Sequence, residues 1–234
     1  MKVAAVGDIH APKYFDLFKN SLEEFFKRSE DLTAFLLAGD IIDGSRYEQL
    51  DEIRKLMEKI DLPTYACFGN NEYTEYANTV MEKLPDIEFL DDSYVTLRKN
   101  DKTVAIVGSR GVLDKPTYWQ KRTWPDIDKV YENRRFKLNK LADTCQADLK
   151  ILLIHYPPTL KIVEGENLRF IEQMGSNKLE PLIKKFNLVI TAHAHKGKKS
   201  VEIEGIPIVN VSLPLRSEIC ILNVEPKQSL DKFM

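Results

Sequence analysis

The pattern of apolar and polar positions divides the chain into short apolar runs, several of them closed by glycine or an acidic residue and, in the first part of the chain, each followed by a stretch at helical spacing. Residues 2–6 are a mostly apolar run bounded by Gly7, the pattern of a buried strand in a parallel sheet. Residues 15–28 place Leu17, Phe18, Leu22, Phe25 and Phe26 on one face of a helix that returns the chain to the sheet. The next strand is predicted over 32–38, a helix over 47–60, a third strand over 63–68 and a third helix over 73–84. Such alternation predicts a mostly parallel sheet with right-handed crossovers, whose sites lie beyond the carboxyl ends of the strands.

From Ile87 the units shorten. Residues 88–90, 94–98 and 103–107 read as strands, the last two joined in a hairpin at Lys99-Asn100-Asp101-Lys102. Residues 113–135 follow no period and mix Tyr118, Trp119 and Trp124 with Lys115, Lys121 and Arg122; a helix is predicted over 127–142. Strands follow at 149–154 and 188–191, with a helix between them at 179–186. Short strands at 200–203, 206–211 and 217–224 precede a tail of ten residues. No internal repeat or low-complexity tract interrupts this order. The expectation is an α/β chain forming one domain over residues 1–234, with an irregular insertion at about 109–145.

Composition narrows the class without naming it. A chain of 234 residues, 43% hydrophobic and 30% charged, can bury a sizeable core. Its net charge of −2 supplies no whole-protein field for nucleic acid, although a local basic patch stays open. Three cysteines without metal-motif spacing suit reduced thiols in a reducing compartment. No apolar run approaches the ~18 to 20 residues of a membrane span. No signal peptide precedes the first strand, so the expectation is a cytoplasmic protein that does not enter a membrane.

The chemistry collects at the ends of the predicted strands: Gly7-Asp8-Ile9-His10, Gly39-Asp40-Ile41-Ile42-Asp43, Gly69-Asn70-Asn71-Glu72, His155-Tyr156-Pro157-Pro158 and Ala192-His193-Ala194-His195. All four histidines of the chain fall there. Residues two apart on an extended segment share a face, which would pair Asp8 with His10 and His193 with His195. Asp8, His10, Asp40, Asn70, His155, His193 and His195 offer oxygen and nitrogen donors and no thiolate. That is more than one ion needs, and it fits two divalent ions sharing a bridging carboxylate.

These blocks, in this order from residue 8 to residue 195, resemble the calcineurin-like metallophosphoesterase superfamily, with its D-x-H, G-D-x-x-D, G-N-H-[DE], H and G-H-x-H signatures. The resemblance implies a sandwich of two mixed β-sheets flanked by α-helices. It also implies that Asp8, His10, Asp40 and His195 hold one metal and that Asp40, Asn70, His155 and His193 hold the other. Two positions depart from the pattern. Ala192 stands where glycine is usual, a change of one methyl. Asn71 stands where many relatives carry a histidine thought to protonate the leaving oxygen, and an amide cannot do so near neutral pH. Asp43, which often orients that histidine, would then lack its partner. Gly44 and Ser45 also replace the Arg-Gly that follows the second aspartate in protein Ser/Thr phosphatases, which argues against that subfamily.

The expected activity is hydrolysis of phosphoesters, diesters before monoesters, by two ions about 3.5 to 4 Å apart that share an activated hydroxide as nucleophile. Manganese, iron, zinc and nickel all accept such donors. The substrate would be a small phosphoester or a nucleotide. A nuclease, or a catalytically idle metal-binding scaffold of the same fold, are the alternatives, and oligomeric state stays open. Cys67 and Cys220 read as core fillers. Glu72 either braces its loop or touches substrate, and the Tyr118, Trp119 and Trp124 cluster either stacks on a nucleotide or packs.

Overall fold

A computed structural model describes residues 1–28, 30–44 and 46–227. Strand β1 (Lys2–Val6) leads into helix α1 (Phe15–Phe26), β2 (Phe35–Leu37), α2 (Leu50–Met57), β3 (Thr64–Ala66), α3 (Ala77–Lys83) and β4 (Ile87–Phe89). Single 3₁₀ turns, Tyr47–Gln49 and Thr74–Tyr76, precede α2 and α3. The hairpin β5 (Ser93–Lys99) and β6 (Lys102–Ser109) follows, then α4 (Tyr118–Thr123), α5 (Ile127–Thr144), β7 (Leu149–Ile154), α6 (Glu180–Ile183) and β8 (Leu188–Thr191). The described chain closes with β9 (Ser200–Ile203), β10 (Ile206–Asn210), α7 (Leu213–Arg216) and β11 (Cys220–Asn223).

The strands form two mixed sheets, in the orders β11-β1-β2-β3-β4 and β5-β6-β7-β8-β10-β9. In the first, β1 to β4 run parallel and β11 lies antiparallel beside β1. In the second, β6, β7, β8 and β10 are parallel, with antiparallel β5 and β9 at its edges. The sheets share a dry layer that includes Val3, Leu36 and Cys67 from one and Ile106, Ile151 and Ile190 from the other. Helices α1 to α3 cover the outer face of the first sheet through Phe18, Leu22, Ile53 and Val80. Helices α5 and α6 cover the second through Tyr131, Leu138 and Ile183. Strands buried on both faces are nearly all apolar, with Lys2, Lys150 and Thr191 as the exceptions, which is why β1, β2, β7 and β8 read so plainly in the sequence.

Four differences from the expectation have local causes. The strand expected at 88–90 lies at 87–89, one residue earlier, and pairs parallel with β3 as the edge of the first sheet. The segment 113–135 is not structureless: Thr117 and Gln120 close a reciprocal cap over α4, its hydroxyl accepting from the Gln120 amide. Residues 179–186 hold only the short α6, and 217–224 contribute a strand of four residues behind α7. Most of the expected tail, residues 228–234, lies outside the described residues.

Candidate metal centre

The functional side chains leave the sheets through left-handed backbone. Strand β1 ends at Val6, and Gly7 makes a single parallel bridge to Ser212. Asp8, His10, Asp40 and His193 then take φ of 57°, 43°, 50° and 69°, a region that side chains with a Cβ enter at a cost of ~1 to 2 kcal/mol each. The expected reason for pairing Asp8 with His10 is therefore corrected: they converge through two left-handed residues, not through the period of an extended strand. His193 and His195, expected to face the same way, diverge, and each joins a different cluster.

All seven sequence-predicted side chains come together at the carboxyl ends of β1, β2, β3, β7 and β8. Asp8, His10 and His195 form one cluster in which every donor atom lies within 4.8 Å of the others, and Asp40, His155 and His193 form a second. Asp40 Oδ2 stands between them, 3.6 Å from His10 Nε2 and 3.6 Å from His155 Nε2. His10 Nε2 faces His195 Nε2 at 3.2 Å, and His195 Nε2 is 3.4 Å from Asp8 Oδ2. His155 Nδ1 lies 2.9 Å from the Ala38 carbonyl, which can only accept, so this nitrogen carries the proton. Its unprotonated Nε2 then faces Asn70 Oδ1 at 3.1 Å, acceptor against acceptor. Asp8 Oδ1 and His10 Nδ1 are buried without a hydrogen-bond partner. Lone pairs aimed at one another and an orphaned buried carboxylate oxygen are what a site for cations leaves when only its protein atoms are counted.

The electrostatics agree with this donor set. Burial alone would raise the Asp8 carboxyl, but the His195 hydrogen bond and the charges of His155 and His195 hold it well below the usual carboxylate range. Asp40 is pushed up to about 6 by burial, with the Asp8 charge adding and His10 opposing. Burial lowers His10 and His155, and lowers His193 strongly, with His155 adding. These imidazoles are therefore neutral, the form that binds metal. His195 is raised because its contacts with Asp8 outweigh burial.

Residues around the donors fix them. Glu72, fully buried, accepts from the amides of Asp40, Ile41, Ile42 and Gly69 at 2.7 to 3.2 Å, which makes it a brace for the Asp40 loop. Burial and the Asp40 charge push it up to about 7, against the pull of these amides. Asn71 holds both Asp40 oxygens, donating from its backbone N at 2.8 Å and from Nδ2 at 2.7 Å, while its Oδ1 accepts from Gly44. Asp43 instead stands 3.6 Å from His10 Nδ1. Buried Asn210 donates to the Ala194 carbonyl and steadies the loop of the last two histidines. Sequence reading missed Arg110, which donates to the Glu72 carbonyl at 2.7 Å. It lies just beyond β6, so the strand-end rule applied there would have found it. Two cavities open against the centre, one of about 390 Å³ beside Asn70 and one of about 190 Å³ reaching Asn70, Asn71 and His193.

Two mixed sheets packed face to face under helices, with buried aspartates and the chain's histidines gathered at their carboxyl ends, match the sandwich of metal-dependent phosphoesterases. The chain belongs to the calcineurin-like phosphoesterase family, whose model matches residues 1–197. Among curated proteins, none matches it in sequence. Solved structures that share the fold include the following three. A 5′-nucleotidase precursor from Thermus thermophilus is 13% identical, with a TM-score of 0.52 over 91% of this chain and 48% of its own. GAP50 of Plasmodium, described as an anchor in the inner membrane complex, is 16% identical, with a TM-score of 0.61 over 92% of this chain and 72% of its own. The NAD nucleotidase of Haemophilus influenzae is 14% identical, with a TM-score of 0.53 over 91% of this chain and 44% of its own. The chain thus spans about half the length of the two nucleotidases.

Proposed function

We propose that this protein hydrolyses small phosphoesters, diesters in preference to monoesters and nucleotides among them, with two divalent transition-metal ions. Asp8, His10, Asp40 and His195 would hold one ion and Asp40, Asn70, His155 and His193 the other. The observation that carries this reading is the pair of buried donor clusters meeting at Asp40 Oδ2, 3.6 Å from an imidazole of each. Such ions supply a water of lowered pKa as nucleophile and neutralise charge developing on the phosphoryl oxygens. The donor set accepts manganese, iron, zinc or nickel.

The remaining steps fall to the chain itself. Asn71 donates to both Asp40 oxygens, which aligns the carboxylate and favours its anion against the burial that raises it. Neutral His10, His155 and His193 offer lone pairs without a proton to displace. Asn71 donates hydrogen bonds but releases no proton near neutral pH, so the leaving oxygen departs without an imidazolium at this position. Preference for diesters is supported by the two cavities against Asn70: a diester carries two organic groups to be housed and a monoester one. Three buried free thiols suit the reducing cytoplasm. An idle scaffold would be expected to have lost donors, and a nuclease to carry a basic field, which a net charge of −2 does not supply.

The test is turnover of a panel of phosphomonoesters and phosphodiesters by metal-loaded protein. Hydrolysis of bis(p-nitrophenyl) phosphate above p-nitrophenyl phosphate, abolished by chelation, is expected. Faster monoester turnover would remove the diester preference. Two bound equivalents of metal with no turnover of any ester would favour the scaffold.

A further inference from the structure

We propose that the cleft between α4, α5 and the loop after β6 is a subsite for the heterocyclic base of a nucleoside phosphate. The position of the phosphate rests on the phosphoesterase reading above, whereas the cleft is argued from its own walls. At about 390 Å³ it falls in the size range of small-molecule sites. Trp119, Trp124, Tyr131 and Tyr156 line it together with Ile127 and Val130, flat and apolar surfaces on which a planar ring stacks. Trp119 meets Trp124 edge to face at 4.9 Å and Tyr73 at 5.5 Å, yet remains 46% exposed. A large aromatic side chain held this firmly while half open to solvent is a platform, not a core residue.

The cleft connects to the centre. It shares Asn70, Trp119, Gln120 and Tyr156 with the smaller cavity that reaches Asn71 and His193, so a ligand with its phosphate at Asn70 can extend a ring to Trp119. Polarity grades along that path. Arg110 stands at the inner end, with its hydrogen bonds going to the Glu72 carbonyl and the Thr74 hydroxyl and not to a carboxylate; this positive charge fits an anion arriving at the centre. Arg134, deeper in the wall, is neutralised by Asp92 at 3.0 Å. Thr123 and Asp126, both exposed on the cleft wall, offer a hydroxyl and a carboxylate for ring amino groups or sugar hydroxyls, the carboxylate sharing one oxygen with Lys129 at 3.0 Å. A plain aryl or alkyl group would use the walls but neither polar end. Lys121 and Arg122, basic residues of the same sequence cluster, do not line the cleft, and Lys121 lies 3.8 Å from Asp128.

The chain has only two tryptophans, and both line this cleft, so intrinsic fluorescence reports on it without a label or turnover. Full-length protein with zinc present would be titrated with adenosine 5′-monophosphate and, separately, with ribose 5-phosphate, which carries the phosphate without the base. Saturable quenching by the first and none by the second is expected. Trp124→Phe, which keeps Trp119 as sole reporter, should retain the quench, and Trp119→Ala should weaken binding about tenfold or more. Equal response to both ligands, no response to the nucleotide, or unchanged affinity in Trp119→Ala would overturn the subsite. Turnover of simple diesters without base-dependent quenching would sink the subsite and leave the phosphoesterase reading standing. Quenching without turnover of any ester would do the reverse.

Discussion

Asp40 concentrates the chemistry of the centre in one side chain. Its Oδ2 faces an imidazole of each cluster, both oxygens accept from Asn71, and the left-handed φ that aims it is stabilised by Glu72 on its own amide. Asp40→Ala should therefore lose activity and most of the bound metal, whereas Cys67→Ala, in the dry layer between the sheets, should lose neither. Elemental analysis decides this, since two equivalents of metal retained by the Asp40 variant would show that it is not the shared ligand. Asn71 sets a second expectation. With no acid at this position, aryl esters, whose leaving oxygen needs little protonation, should turn over much faster than alkyl esters. Asn71→His should place a proton donor beside the phosphoryl site and raise alkyl ester turnover by ~10²-fold, the lower end for general acid catalysis. It would also remove one amide donor from Asp40, so the aryl ester rate serves as the control for damage to the centre. Equal dependence on leaving-group pKa in the two proteins would show that the proton comes from elsewhere.

At the scale of elements, the centre depends on strand-to-loop junctions that pack against one another. Gly39, at φ +80°, and Gly69 abut: a Cβ on Gly39 would lie 2.6 Å from the Gly69 N, and one on Gly69 would lie 2.1 Å from Asp40 Oδ1 and 2.3 Å from its N. These are backbone and ligand atoms that cannot swing away. Gly69→Ala should push the Asp40 loop out of place and lower metal affinity about 10- to 100-fold, as losses around metal ligands commonly do; competition with a chromophoric chelator would read it, and unchanged affinity would mean that the loops yield. Such junctions are also where sequence and structure part. Gly-Asp or Gly-Asn closing the first three apolar runs marked their strand ends, and Asp8, Asp40, Asn70, His155 and His193 all follow the carboxyl ends of strands, in two different sheets. The left-handed φ of Asp8 and His10 left no comparable trace in the sequence, so the right pairing was expected for the wrong geometric reason. Glu72 braces Asp40, Ile41, Ile42 and Gly69 through a tertiary contact, which no local pattern encodes. Helix α4 is not legible in the sequence, where 113–135 shows no period, and its reciprocal Thr117 and Gln120 cap is visible only in the structure. Helix α7, four residues starting at Leu213, is too short to show a period.

Across the whole molecule the centre lies on the seam between the sheets. Asp8, His10, Asp40 and Asn70 follow strands of the first sheet, and His155, His193 and His195 follow strands of the second. Polar contacts that cross the seam here include the His193 amide donating to Asp8 Oδ2 at 2.8 Å, His155 Nδ1 to the Ala38 carbonyl at 2.9 Å and Arg110 to the Glu72 carbonyl at 2.7 Å. Donors from both sheets meet within each cluster, so ions bound there would tie the two halves of the sandwich together. Unfolding would scatter these donors, and binding to the native state alone stabilises it by about 2.7 kcal/mol at a free ion concentration of 100 Kd. For a chain of this size that corresponds to a rise in Tm of roughly 5 to 10 °C. Thermal melts of metal-stripped protein with and without zinc or manganese should show this rise, and chelator should reverse it. Asp40→Ala should melt at the same temperature with or without the ion, because it removes the carboxylate that stands between the two clusters. A wild-type melt unmoved at saturating ion, or an Asp40→Ala melt raised as much as wild type, would mean that the ions bind elsewhere and that the seam is held by its dry layer and backbone contacts alone.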